Sequence, residues 1–221
     1  MSAADHLGRS RLLLVRHGET TGNSSIRYYG RTDVGLSDLG RRQMQATRTA
    51  LAQGFGHGKD VARFDPVFAS PLSRAREGAM IIASIEPILI DEFVEIDFGL
   101  FEGLTADEIR DRHPDDFAHW NNHRLDSDYA YPHGESRTAF LERVHRGAAR
   151  MLALIDDAHR DRGGTAIVIA HRGVVRAITQ RLANVSPVIE LASMQSLIRE
   201  SAETPWRPEF LDDTFHLADV E

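Results

Sequence analysis

Two short apolar runs constrain the fold of this chain more than any other feature. They lie within the predicted strands Arg11 to Val15 and Thr165 to Ala170, and neither run alternates with polar residues. A strand that is apolar throughout is typical of a sheet covered on both faces, and such sheets are mainly parallel. The two runs therefore predict a buried, mostly parallel sheet between layers of helices.

Segments with helical and strand patterns alternate along the rest of the chain. The longest helix is predicted to begin at Ser136, because apolar residues recur after it with a helical period of about 3.6. Further strands are predicted at 66–70 and 87–90, and further helices at 38–53, 72–84, 105–112, 115–122 and 174–182. This order predicts a single-domain, three-layer α/β/α sandwich with a mostly parallel central sheet.

The domain is expected to occupy residues 11–221, after a flexible N-terminus at 1–10. A helical subregion is predicted at about 100–135, and a loop at 204–210, TPWRPEF. The segment GHGKD at 56–60 lacks the spacing of a phosphate-binding P-loop and is predicted to be an ordinary loop.

Composition and charge exclude several classes of function. The net charge of −7 argues against a nucleic-acid partner. The absence of cysteine excludes disulfides, thiolate catalysis and cysteine-based zinc sites. The first ten residues contain no apolar secretory segment, and no stretch is apolar enough to span a membrane. We therefore expect a cytoplasmic protein with no membrane partner, and leave open whether it is a homodimer.

Each of the two apolar strands runs directly into a histidine. His17 follows the first strand and His171 follows the second, while the strand at 66–70 leads to Arg74. Ligands of open α/β sheets bind outside the carboxyl ends of the strands, where these residues and Arg16 are expected to meet. Guanidinium groups suit phosphate oxygens, and imidazole can attack phosphorus. The strand ends therefore predict a phosphate site.

Taken singly, each of these residues also has a structural explanation. An isolated Arg-His pair is more often a surface cation beside a hydrogen-bonded histidine, and Arg74 alone is more often a solvated residue at a helix start. His171 alone is explained equally well as a buried, hydrogen-bonded core residue. Their joint placement is what the structural explanation accounts for poorly.

The segment RHGETTGN, residues 16–23, resembles the signature of the histidine phosphatase superfamily, which includes the cofactor-dependent phosphoglycerate mutases. Five later blocks are similar to that family in the same order: YYGRTDVGLSDLGRRQ, SPLSRA, EIDFGLFEG, PHGESRTAFLERV and IVIAHRGVVR. The resemblance covers roughly residues 11–180, and the agreement of several ordered motifs is far more specific than any one of them.

The resemblance implies a catalytic role for four of these residues. His17 would be the nucleophile that forms a phosphohistidine, and Arg16, Arg74 and His171 would neutralise the charge on the transferring phosphoryl group. The residues themselves are consistent with this role, because a cation beside an imidazole favours its neutral, nucleophilic form. The resemblance implies no cofactor and no metal.

The leaving group also needs a proton donor. The position of Glu95 in the family motif and its apolar neighbours in the sequence both indicate that it is the general acid. Asp97, Glu92 and Glu102 lie in the same loop and stay open as alternatives.

Five further residues are predicted to bind substrate. Asn23, Tyr29, Gly30 and Arg31 resemble the substrate-contacting stretch of the family, although an ordinary polar turn is an alternative explanation for Tyr29. Arg172 stands where the family commonly has glycine, so its side chain adds bulk and charge near the predicted site.

The segment after the predicted acid favours a phosphatase over a mutase. In the mutases an insertion bearing lysine and arginine follows this motif, whereas residues 104–136 of this chain are short and acid-rich. We predict a metal-independent phosphomonoesterase of the histidine acid phosphatase type, acting on a small phosphorylated metabolite. The alternatives are phosphoglycerate mutase-type phosphoryl transfer and a non-catalytic module that binds phosphate esters.

A metal site is the remaining alternative for the helical subregion. His113, His119, His123 and Asp126 lie close in sequence, and a pair of histidines at i, i+4 suits zinc in some proteins. No HExxH pattern is present, and the chain has eleven histidines, so chance neighbours are expected. We predict no metal site here.

Overall fold

A computed structural model describes residues 8–54 and 63–220 of the chain. Most of the predicted flexible N-terminus and the predicted loop at 56–60 lie outside the described residues. Ser10 does not belong to a flexible terminus, because it is the first residue of a strand and pairs with Gly164 and Arg199.

The described residues form one six-stranded sheet. Its strands are β1 (Ser10–Arg16), β2 (Val67–Ala69), β3 (Ile88–Leu89), β4 (Gly164–Ala170), β5 (Met194–Arg199) and β6 (Arg207–Asp213). Their order in the sheet is β3-β2-β4-β1-β5-β6. The first four in that order are parallel, whereas β5 is antiparallel to both of its neighbours.

Helices cover both faces of the sheet. They are α1 (Asp38–Ala52), α2 (Ser73–Ala83), α3 (Ala106–Arg112), α4 (Pro114–His123), α5 (Arg137–Ala158) and α6 (Arg172–Ala183). Side chains of Ser37 and Ser136 cap α1 and α5, and Thr105 with Glu108 forms a capping box at the start of α3. The predicted three-layer α/β/α sandwich with a mostly parallel sheet is confirmed.

Successive residues of β1 belong to two different hydrophobic cores. Leu12 and Leu14 pack in the core formed with α5 and α6, whereas Leu13 and Val15 pack in the core formed with α1 and α2. Side chains of a strand alternate between the faces of a sheet, so a strand covered on both faces favours apolar residues at successive positions. This explains the continuous apolar run in the sequence.

The C-terminal part of the sheet differs from the sequence prediction. The predicted loop at 204–210 is wrong for its last four residues, because β6 begins at Arg207. The strand β5 also lacks an apolar pattern, since the fully buried Gln195 and Ser196 interrupt it. Their side chains bond to the backbone N–H of Asp212 and to the carboxylate of Glu209, which removes the cost of burying them.

Helices α3 and α4 occupy the predicted subregion at about 100–135 and pack against each other. α6 begins directly after His171, two residues earlier than predicted. Within the described ranges, no helix combines the length and the apolar character needed to cross a membrane.

Candidate active site

The register of the central strands brings the two predicted histidines together. β1 and β4 are neighbours, and Arg16 pairs with Ala170 at their carboxyl ends. The next residues are His17 and His171, whose rings lie edge to face with centroids 5.2 Å apart. Both imidazoles are buried, with 4% and 1% of their surface exposed. The two histidines that were expected to meet at the strand ends therefore do so.

The hydrogen bond of His17 identifies its reactive nitrogen. Nδ1 lies 2.7 Å from the backbone oxygen of Gly18. A carbonyl oxygen can only accept, so Nδ1 carries the proton and Nε2 keeps its lone pair. Burial, and then Arg74 and Arg16, lower the pKa of His17 well below its usual value. The imidazole is thus held neutral with Nε2 available.

His171 makes a hydrogen bond that the sequence did not indicate. Its Nε2 lies 2.8 Å from the hydroxyl of Ser70, the residue that follows β2. Its Nδ1 is buried and has no partner among the described residues. Burial, and then Arg74 and His17, lower the pKa of His171 well below its usual value. If Ser70 donates to Nε2, the unpaired Nδ1 is a donor.

Both predicted arginines lie at the same edge of the sheet and hold backbone carbonyls. Fully buried Arg74 donates to the carbonyls of Thr32 at 2.9 Å and Gly30 at 2.7 Å. Arg16 donates to the carbonyl of Ile189 at 3.0 Å. The Nε atoms of Arg16 and Arg74 are buried and have no partner in the described part of the chain.

Burial in this cluster of cations affects the arginines as well. Burial, and then Arg172, lower the pKa of Arg16 to about 10, while Glu95 opposes that shift. Burial also lowers the pKa of Arg74, and Glu95 again opposes it. Glu95 and Arg16 also line the same pocket, together with His17.

Glu95 is tied to the helix that follows His171. One carboxylate oxygen accepts from the backbone N–H of Gly173 at 2.8 Å, and the other accepts from the N–H of Ile96 at 3.0 Å. Only 7% of Glu95 is exposed. Of the four acids considered from the sequence, Glu95 is the one that lines the pocket described next.

A pocket with a volume of about 720 Å³ opens beside Arg16, His17 and Glu95, whereas the buried Arg74 and His171 are not part of its lining. Arg16, His17 and Glu95 form part of its lining, together with the predicted substrate residues Tyr29 and Arg172. The remaining wall comes mainly from the loop before α1, from α4, and from the starts of α5 and α6. The pocket therefore reaches from the strand ends to the helical subregion.

Three predicted substrate residues lie elsewhere. Asn23 and Arg31 are exposed, and neither they nor Gly30 are part of the pocket lining. Gly30 has a structural task, since a Cβ there would lie 1.8 Å from the backbone oxygen of Ile96. A role for these three residues in binding substrate stays a prediction.

The histidine cluster of the helical subregion does not assemble into a larger group. The rings of His119 and His123 are 4.5 Å apart, and His123 Nδ1 lies 3.0 Å from Asp126. Within residues 8–54 and 63–220, no group of three or more histidine or acidic side chains is placed to hold a metal ion.

Comparison with known protein families decides the affiliation. The family model of the histidine phosphatase superfamily, branch 1, matches residues 12–195, and this range contains the whole arrangement of arginines, histidines and Glu95. The chain belongs to the histidine phosphatase superfamily.

Curated relatives include phosphatases and a longer protein. A bifunctional protein of Mycobacterium tuberculosis is 35% identical over 165 residues, covering 73% of this chain and 41% of that protein. This chain therefore spans about two fifths of the length of that relative. Phosphoserine phosphatase 1 of Hydrogenobacter thermophilus is 30% identical over 173 residues, covering 76% of this chain and 74% of that enzyme.

A solved structure is also similar. The mycobacterial glucosyl-3-phosphoglycerate phosphatase is 25% identical, with a TM-score of 0.72 and coverage of 93% of this chain and 100% of that one.

Arg143 supports the candidate site of this member of the histidine phosphatase superfamily, and the sequence analysis missed it. Its guanidinium donates to the carbonyls of Glu92, Val94 and Glu95 and pairs with the carboxylate of Glu135 at 2.7 Å. It thereby fixes the backbone of the loop that carries the predicted acid.

Helical spacing could have drawn attention to Arg143. It precedes Gly147 and Met151 by one and two turns, and both of these residues are buried on α5. An arginine in line with a buried stripe needs polar partners, which the Glu95 loop supplies.

Glu102 has a structural task rather than the acid role left open for it in the sequence. Its carboxylate accepts from the backbone N–H groups of Gly30, Arg31 and Thr32 and from that of Phe98. This network holds the loop whose carbonyls bind Arg74.

Proposed function

We propose that this protein hydrolyses small phosphomonoesters through a phosphohistidine on His17, without a metal ion. The observation that carries the proposal is a set of three buried nitrogens, on Arg16, Arg74 and His171, that have no hydrogen-bond partner among the described residues. Buried polar atoms are normally hydrogen-bonded, so donors left unpaired around a nucleophilic nitrogen suit the oxygens of a phosphoryl group.

The relatives support the same reaction class. The named enzymes that match most of this chain include a phosphoserine phosphatase and a glucosyl-3-phosphoglycerate phosphatase. We propose phosphatase activity for this chain, with a small phosphorylated metabolite as the partner that it binds.

The first step transfers the phosphoryl group to the enzyme. His17 Nε2 attacks phosphorus, and the bond between phosphorus and the ester oxygen breaks. Protonated Glu95 gives its proton to the departing oxygen, so the products are an alcohol, a phosphohistidine and the Glu95 carboxylate. Arg16, Arg74 and His171 stabilise the charge that spreads over the equatorial oxygens.

The second step releases phosphate and restores the enzyme. The Glu95 carboxylate removes a proton from water, whose oxygen attacks phosphorus while the bond from phosphorus to Nε2 breaks. His17 returns to its neutral form, and Glu95 is again protonated. The water consumed supplies the hydroxyl of the released phosphate.

The shape of the pocket favours hydrolysis over retained phosphoryl transfer. A mutase must keep water away from its phosphohistidine. Ile26 and Leu125 line the pocket here, yet 61% and 79% of their surfaces are exposed. Solvent therefore reaches the pocket wall beyond His17.

The test measures phosphate release and enzyme labelling in the same preparation. Chelator-treated protein is expected to hydrolyse 4-nitrophenyl phosphate and to acquire an acid-labile radioactive phosphoryl group from a labelled ester. The variant His17→Asn is expected to lose both, whereas His119→Asn, which replaces an exposed histidine outside the site, is expected to keep both.

Two results would count against the proposal. If chelation abolished activity and a divalent metal restored it, the reaction would not be metal-independent. If His17→Asn still acquired an acid-labile phosphoryl group, the nucleophile would be a different residue.

A further inference from the structure

The pocket above His17 has a large excess of positive charge. Glu95 is the one carboxylate in its described lining, which also contains six arginines: Arg16, Arg27, Arg124, Arg137, Arg172 and Arg176. Arg27 is paired with Glu108 at 2.5 Å. None of the other five forms an ion pair with an acidic residue in the part of the chain that the structure describes. The pocket is thus built to receive more negative charge than Glu95 provides.

Two of these arginines form a row on α6. Arg172 and Arg176 are separated by one helical turn, so their side chains share a face, and like charges at this spacing destabilise a helix. Partial burial, and then Arg172, lower the pKa of Arg176. Arg176 reaches the carbonyl of Pro187 only at 3.4 Å, and Arg172 has no hydrogen bond to described residues. A bound anion would offset this repulsion.

The same row extends beyond the proposed phosphoryl position. Four residues of an α-helix span about 6 Å along its axis. Arg172 directly follows His171, whereas Arg176 lies one turn further from the reacting group. A phosphoryl group held by Arg16, Arg74 and His171 would lie nearer the start of α6 than Arg176 does. The distal arginine is therefore placed for a second anion.

Aromatic side chains form another wall of the pocket. The ring of Tyr28 lies edge to face with Phe98 at 5.2 Å and with Trp120 at 6.1 Å, and Arg124 stacks on Trp120 at 5.4 Å. Burial raises the pKa of Tyr28, while Arg124 and Arg172, which line the same pocket, both lower it. Such a surface fits a planar or apolar group.

We propose that Arg172 and Arg176 bind a second anionic group on the leaving group of the substrate. The preferred substrates are then phosphomonoesters whose planar or apolar body carries a carboxylate or a second phosphate. This inference rests on the proposed function, because it names the substrate class of the same site.

Three aryl esters with the same ring test the inference. They are 4-carboxyphenyl phosphate, 1,4-phenylene bisphosphate and the uncharged isostere 4-carbamoylphenyl phosphate. The carboxamide withdraws electrons more strongly than the carboxylate, so leaving-group chemistry alone favours the uncharged ester. A preference for an anionic ester therefore reports binding. The carboxylate and phosphate arms distinguish the two sources of the second charge.

The readout is the ratio of kcat/KM for an anionic ester to kcat/KM for the carbamoyl ester. We expect a ratio of about ten in the wild type, as for an added charge-assisted hydrogen bond at a partly solvated site. The double variant Arg172→Gln/Arg176→Gln is expected to bring the ratio to about one. Both side chains are exposed, so the fold does not depend on them.

Arg181→Gln is the matched control. Arg181 lies on the same helix and is exposed, but it does not line the pocket. Its removal changes the net charge in the same sense and is expected to preserve the ratio. An equal fall in Arg181→Gln, or a wild-type ratio near one for both anionic esters, would overturn the inference.

Failure of the subsite and failure of the proposed function give different results. A wild type that hydrolyses all three esters equally lacks the subsite but remains a phosphatase. A wild type that hydrolyses none contradicts the proposed function. In that case calorimetric binding of the same esters tests whether the subsite exists. Tighter binding of an anionic ester is expected only while Arg172 and Arg176 are present.

Discussion

The Glu95 carboxylate accepts a hydrogen bond of 2.8 Å from the backbone N–H of Gly173. This bond joins the loop after β3 to the first turn of α6, two residues beyond His171. A group proposed to donate and accept protons must be held close to the reacting oxygen, because proton transfer requires hydrogen-bond reach. The chain meets this requirement by fastening the acid to the helix that begins at the second imidazole.

Replacing Glu95 with glutamine is expected to separate the two chemical steps. Glutamine keeps an acceptor oxygen for Gly173 but carries no acidic proton. Turnover of alkyl phosphates is expected to fall by about a hundredfold or more. With 4-nitrophenyl phosphate the first step needs little acid assistance, so rapid-mixing measurements are expected to show a stoichiometric burst of nitrophenolate followed by slow hydrolysis.

Glu92→Gln is the control for this experiment. Glu92 lies in the same loop outside the pocket lining, and its carboxylate is 3.9 Å from Arg150. It is expected to show neither the burst nor the sensitivity to the leaving group. Equal losses on alkyl and nitrophenyl esters in Glu95→Gln, with no burst, would contradict the role of Glu95.

Arg143→Gln is expected to loosen the loop that carries Glu95. The side chains of Arg143 and Glu135 are each only 17% exposed, so removing the cation leaves a poorly solvated carboxylate without its partner. We expect a loss of about 3 kcal/mol in the free energy of unfolding, measured by urea denaturation. Arg146→Gln, which replaces an exposed arginine of the same helix, is expected to change it little.

A positioning role for Arg143 also predicts a kinetic effect. In Arg143→Gln, kcat for alkyl esters is expected to fall more than kcat for 4-nitrophenyl phosphate, because a displaced Glu95 matters most when the leaving group needs a proton. Arg143→Lys keeps the charge but cannot reach three carbonyls at once, so it is expected to recover stability more than this selectivity. Equal losses of kcat on both kinds of ester would contradict the positioning role and show that Arg143 is purely structural.

Much of the fold followed from patterns that depend on burial. Continuous apolar runs predicted β1 and β4 because strands covered on both faces have no polar side. The periodic stripe predicted α5 for the same reason. β5 escaped prediction because Gln195 and Ser196 are buried with polar partners contributed by β6, a pairing that no local pattern reveals.

The site was partly predictable for a similar reason. Residues that directly follow parallel strands must meet at one edge of the sheet, so His17 and His171 could be placed together from the sequence. Ser70, Arg143 and Glu102 were not assigned their contacts, because each acts through a backbone or side-chain group that is distant in the chain. Such contacts depend on how loops pack and have no signature in local spacing.

The pH dependence of activity and of stability should differ. The pKa values of His17 and His171 lie well below about 6.5. Both imidazoles therefore stay neutral in the folded protein when the pH falls just below that value. The profile of kcat/KM is therefore expected to show no loss attributable to His17 near pH 6.5. A tenfold fall per pH unit beginning there would contradict a neutral nucleophile.

Stability is expected to decrease over the same range. Below about pH 6.5 the unfolded chain protonates these imidazoles while the folded chain does not, so protons favour unfolding. The contribution of the two histidines to stability is fully present above about pH 6.5 and is lost as the pH falls toward their pKa values in the folded protein. Thermal unfolding from about pH 7.5 to about pH 5 measures the slope, which is expected to be smaller in His17→Asn than in the wild type.

Tetrahedral anions are expected to stabilise the folded chain by bonding to the buried nitrogens of Arg16, Arg74 and His171 that have no partner in the described ranges. At about a hundred times the dissociation constant, a bound anion adds about 2.7 kcal/mol. For a chain of this size that raises Tm by about 5 to 10 °C. Thermal scans with orthovanadate in the presence of a chelator measure the shift.

Arg16→Gln is expected to lose most of this shift in Tm, whereas Arg76→Gln, which removes a surface arginine of α2 paired with Glu86, is expected to keep it. If Arg16→Gln unfolded at the wild-type temperature without anion and still showed the full shift, the unpaired donors would not be the anion site.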